Sequence, residues 1–214
     1  MKTTITLITA MLLLLTTGED ALRAQTDVPP AGARYGVKSA IIKKSFYGPG
    51  GDREITIYID DYGAREAEED RMGKHQSLRI RNEKDKTEVV VDFSERTVNI
   101  GGWESKRQIN YRHLKLGELE RYGLTEAGTK VLLGKTCRVY KQNTWLKSYM
   151  VTVTHYVWEG INLKSDLKYD EVPGWEEREE VKSIQVNVDV PQEKFQIPRG
   201  FKVKDWRGRW EMKD

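Results

Sequence analysis

Ile184, Gln185, Val186, Asn187, Val188, Asp189 and Val190 alternate apolar and polar side chains without a break. In an extended chain successive side chains point to opposite faces, so every apolar residue of this stretch falls on one side and every polar one on the other. A helix would smear the valines around its axis, and β-branching adds a preference for the pleated form. The stretch therefore predicts a half-buried strand, and the whole chain is best read by searching for the same period elsewhere.

The period recurs. Ile55, Ile57 and Ile59 share a face against Thr56 and Tyr58; Ile161, Leu163, Leu167 and Tyr169 share one against Asn162, Lys164, Asp166 and Lys168. Tyr149, Val151, Val153 and Val157 do likewise, with shorter runs over Leu78 to Arg81, Thr87 to Phe93 and Arg96 to Ile100, and a first strand is predicted over Tyr35 to Phe46. Gly48, Pro49, Gly50, Gly51 and Asp52 break the chain after the first strand, and Pro173 with Gly174 divides the last two long ones. Links this short make sequential strands antiparallel neighbours, because a parallel crossover needs a dozen residues or more. Between Trp103 and Gly123 the spacing of Ile109, Leu116 and Leu119, with Gly123 as a cap, predicts one short helix. So long a sheet has little helix to cover it. The expected fold is mainly β: a curved antiparallel sheet, a half-open barrel, with one or two short helices across its concave side.

The N-terminus reads as an export signal. Lys2 precedes an apolar run from Ile5 to Leu15, and small residues stand near Ala21 and Ala24. The run is too short to span a bilayer, which takes about 20 apolar residues. The expected organisation is a signal peptide over 1–24, a flexible lead over 25–33, one β-rich domain over 34–203 and a charged tail over 204–214. The single cysteine, Cys137, lies far from the cleavage site, so neither a lipid anchor nor an internal disulfide is expected, and the mature chain is assigned to the periplasm without a membrane span. Net charge is +3, with neither sign in a long block, which argues against nucleic acid as a partner.

Three segments carry a family likeness: Gly134 to Tyr140, Tyr156 to Lys164, and Phe195 to Phe201. Together they resemble an uncharacterised group of exported bacterial proteins related in fold to the LolA-like lipoprotein carriers. The resemblance implies a half-open barrel with helices across its mouth and, in the carriers, an apolar cavity for acyl chains. Its motifs are structural. None supplies a chemical group.

Residues fit for chemistry are sparse. His75, His113 and His155 form no paired metal pattern, no serine elbow is present, and neither a cofactor nor a metal is expected. The acidic runs Glu66, Glu68, Glu69, Asp70 and Glu176, Glu177, Glu179, Glu180 lack the spaced glycine loop of a calcium site and read as solvated surface. Met150, Tyr156 and Trp158 share a strand face opposite the valines; were that face concave, it would offer large, adaptable apolar contact to a ligand. Trp206 and Trp210 are read as cover for a sheet edge or as a partner surface. The function these readings suggest is a soluble periplasmic binding or carrier protein, holding a lipid-like or other apolar ligand such as a lipid or lipoprotein acyl chain non-covalently, and not an enzyme, a hydrolase being the remote alternative. The alternative is an envelope interaction module with a protein partner and no ligand.

Overall fold

The computed structural model describes residues 28–103, 109–172 and 174–207. The segment expected to be a signal peptide (1–24), Pro173 and Trp210 lie outside them. The elements are β1 Ala40–Tyr47, β2 Arg53–Asp60, β3 Arg65–Met72, β4 His75–Asn82, β5 Thr87–Asp92, β6 Thr97–Gly102, α1 Leu116–Arg121, β7 Leu124–Leu132, β8 Lys135–Leu146, β9 Tyr149–Trp158, β10 Ile161–Tyr169, β11 Glu176–Val186 and β12 Lys202–Asp205. All the strands belong to a single sheet, in the order β12-β6-β5-β4-β3-β2-β1-β11-β10-β9-β8-β7. Strands β1 to β6 form one antiparallel meander and β7 to β11 a second, joined where β1 pairs with β11. The sheet does not close, and α1 is the short helix foreseen before Gly123, whose φ of 62° suits a glycine after a helix.

The apolar side of this sheet changes face along its width. Ile41, Tyr58, Ala67, Ile80, Val89 and Ile100 are successive cross-strand partners from β1 to β6, and Val190, Phe195 and Phe201 cover them. The neighbouring row points the opposite way: Ala40, Ile59, Glu66, Arg81 and Glu88. On that second face, called inner here, β1 and β2 supply Ala40, Ile42 and Ile59 to a core completed by Tyr35, Leu163 and Val181. Farther along, Leu124, Tyr140 and Val157 pack beneath Ile109, Tyr111, Leu114, Leu119 and Tyr122, the segment that carries α1.

Residues 184–190 link the two arrangements. Their burial alternates as predicted, but sheet pairing ends at Val186, because Asn187 takes a φ of 54°. Asparagine tolerates the left-handed region better than most residues, and here its bonds replace the ladder. Its N–H donates to Ser39 O (2.8 Å), its Oδ1 accepts from Lys38 N (3.1 Å), and Ser39 Oγ donates to Val188 O (2.6 Å). Ile184 and Val186 thus pack against the inner core, whereas Val190 joins the outer one.

Several features differ from the sequence expectation, β7 among them, which no expected strand covers. β1 starts at Ala40, not Tyr35, since Gly36 lies against the β9–β10 turn, donating to Glu159 O (2.9 Å) where a Cβ would overlap the Glu159 side chain. β3 was unforeseen, because its sequence is almost wholly charged. Lys204 and Asp205, placed in the tail, instead end a parallel strand on the β6 edge.

Candidate functional site

Glu66 is the centre of the candidate site and corrects the reading of its run as solvated surface. It sits on the inner face of β3 and is only 4% exposed. Tyr35 Oη donates to its Oε2 (2.6 Å) and Arg81 Nη1 to its Oε1 (2.6 Å), while Arg81 Nε reaches Glu88 Oε1 (3.0 Å). Burial pushes the Glu66 carboxyl up, but the guanidiniums of Arg34 and Arg81 and the two hydrogen bonds outweigh it and hold the group below the usual carboxylate range. Burial, and then the Glu66 charge, drive the Tyr35 phenol well above its ordinary value, so it stays a donor.

This network borders a cavity of about 490 Å³ between the sheet and the α1 segment. Pro30 to Arg34 form one wall, turned by a bond from Ala33 N–H to Pro30 O (3.0 Å). Trp103, Ile109 and Tyr122 supply apolar and aromatic lining, and Arg121 and Glu118 of α1 stand opposite. Trp103 is fixed twice, by its Nε1 donating to Glu83 Oε2 (3.0 Å) and by the Arg81 guanidinium 4.9 Å from its ring centre. The lining is therefore amphiphilic, with aromatic walls and a buried ionic floor. Part of the lead expected to be flexible belongs to it.

Farther along the inner face the charges continue in pairs, Glu68 with Arg79 (3.5 Å) and Asp70 with Arg53 (3.0 Å). The second acidic run is likewise tied into the sheet: Lys44 Nζ meets Glu179 (2.5 Å) and Arg178 meets Asp166 (3.0 Å). His155 faces inward beneath Tyr111, ring centres 5.6 Å apart. The Asn162 side-chain oxygen accepts from its Nδ1 (3.2 Å) and from Ser165 Oγ (2.6 Å). Burial depresses the imidazole to about 4, the Glu179 charge opposing only in part. Among the described residues no group of three or more His, Cys, Asp or Glu side chains is placed to hold a metal.

Met150, Tyr156 and Trp158 do not line this cavity. Tyr140 pairs with His155, which puts their shared side, with Val157, under α1 and leaves Tyr156 on the reverse, outer face. Tyr156 and Trp158 are partly buried against the cluster in which Cys137 and Ile161 join Leu163 and Ala40, and they lie below lysines: Lys164 and Lys130 stand 5.3 and 5.6 Å from the Tyr156 ring centre, and Lys135 3.8 Å from that of Trp158. Met150 is at the far end of β9, about 26 Å from Trp158 at strand rise. Trp206 follows β12, its N–H donating to Ile100 O (2.8 Å) at the β6 edge.

The sequence matches no family model and no curated protein. In fold it is similar to an uncharacterized conserved protein from Thermus thermophilus (TM-score 0.55, 8% identity, 79% of this chain and 91% of that one). It is also similar to MucB in complex with MucA(peri) (TM-score 0.52, 16% identity), over 81% of this chain but only 59% of that one. A putative outer membrane lipoprotein-sorting protein domain from Vibrio parahaemolyticus shows a fainter likeness (TM-score 0.36, 10% identity, 77% of this chain and 92% of that one). No helix among the described residues is long and apolar enough to cross a membrane.

Proposed function

We propose that this chain is an exported, periplasmic binding module that holds an amphiphile non-covalently in the cavity between α1 and the inner face. The observation that carries this reading is the mixed lining: Trp103, Ile109 and Tyr122 offer contact to a hydrocarbon portion, and the Arg34, Arg81 and Arg121 guanidiniums meet a polar end. A volume of about 490 Å³ falls within the range of small-molecule sites. Binding without turnover fits a site whose titratable groups are tied to one another rather than converging on an open point.

Native mass spectrometry of the purified chain should show a bound lipid-sized mass, and a fluorescent fatty acid should be displaced from the cavity. Trp103→Ala should weaken that probe about tenfold by removing one aromatic wall. Ligand-free protein with no probe binding would rule the reading out. A second reading, an envelope protein segment as the occupant, is favoured by the paired charges along the inner face of β3 and β4, and by the fold shared with MucB, which was solved with MucA. A bound mass of peptide size would decide for it.

A further inference from the structure

The outer face of β7 to β10 carries a charge excess that the cavity does not explain. Lys130, Lys135, Lys141, Lys164 and Lys168 project from it against Asp166 and, at its end, Asp170 bonded by Thr152, giving 5 − 2 = +3, as much as the whole chain carries. β11 adds Arg178 and Lys182 against Glu176 and Glu180 and leaves the excess unchanged. The register makes these residues neighbours: Lys164 stands opposite Tyr156, and Asp166 opposite Thr154, which faces Lys141. Lys130, Lys141 and Lys168 are exposed, the last paired with Glu176 (3.3 Å), whereas Lys135 and Lys164 hold their ammonium groups over the Trp158 and Tyr156 rings (3.8 and 5.3 Å), Lys164 meeting Asp166 as well (2.8 Å).

Aromatic side chains frame the lysines. Trp145, 63% exposed, pairs with Met150 at the β8–β9 end of the face, while Leu146 and Tyr149 of the same hairpin are exposed on its other side. A groove of about 810 Å³ opens between Tyr47, Tyr156 and Trp175. Tryptophan and tyrosine favour the headgroup level of a bilayer, and lysines on long stems reach phosphates there. We propose that this outer face docks the protein on a bilayer containing anionic phospholipid, with Trp145 and its hairpin as the anchor and the lysines reading headgroup charge. The contact lies on the opposite side of the sheet from the cavity, so it stands or falls apart from the amphiphile reading.

Co-sedimentation of the mature chain with vesicles tests it. Mixed phosphatidylglycerol and phosphatidylcholine vesicles should retain the protein at low salt and release it as salt rises, and pure phosphatidylcholine should not retain it. Lys141→Glu with Lys168→Glu should lower the affinity by about fivefold or more for each lysine, and Trp145→Ser should weaken the salt-resistant part. Lys74→Glu with Lys84→Glu, in turns away from this face, should leave binding intact. Circular dichroism confirms that each variant is folded. Absence of binding to the mixed vesicles, equal losses in both lysine pairs, or retention by soluble polyglutamate but not by vesicles would each overturn the proposal, the last reassigning the face to an acidic protein.

Discussion

Arg81 shows how much of the inner face hangs on one side chain. It is bonded to Glu66 and Glu88 and stacked on Trp103, so Arg81→Ala leaves a buried carboxylate without its closest cation. Removing one partner of such a pair costs about 3–5 kcal/mol, and chemical denaturation of the variant should show a loss of that size. His155 makes a prediction of opposite logic. Neutral in the folded protein down to about 4, it would protonate near 6.5 once unfolded, so stability is full above that value and declines as pH falls toward 4. The loss should reach up to about 3 kcal/mol, and His155→Gln should flatten the profile across the same window. Neither residue was legible as part of a site from sequence. Arg34, Tyr35, Glu66 and Arg81 come from three separate segments, and only the pairing of β3 with β4 and the path of residues 30–36 bring them together.

The elements were legible where alternation separates apolar from polar residues, as in β2, β9 and β10. β3 was not. Arg65 to Met72 has Ala67 and Met72 as its sole apolar residues, and its strand state follows from neighbours on both sides, each of which supplies partners for its charges. Tertiary context overrode a sequence that reads as solvated surface. β12 was missed for a different reason: four exposed residues give no periodic signal, and their pairing with β6 depends on an edge that sequence does not reveal. That strand and the Trp206 bond occupy the β6 edge, and an uncovered edge templates association. Ending the chain at Phe201 should therefore lower the melting temperature and produce concentration-dependent oligomers in light scattering. A truncated chain that stays monomeric with an unchanged melting temperature would show the edge to be protected by other means.

At the scale of the molecule, the architecture was legible in the sequence and the covering of its two sides was left open. Period-two patterns say which residues share a face but not which face is covered, so Met150, Tyr156 and Trp158 could be grouped correctly while their side remained open. What decides it is the placement of α1 and of residues 190–201, which cover opposite sides of the sheet at its two ends. Among the described residues the strands of the two meanders pair only at β1 and β11, and the Ser39–Val188 bond beside that seam spans 149 residues. A chain delivered N-terminus first therefore cannot complete its fold until nearly all of it has arrived. Late closure of this kind makes folding slow and keeps the polypeptide threadable through a narrow pore until its last strands emerge.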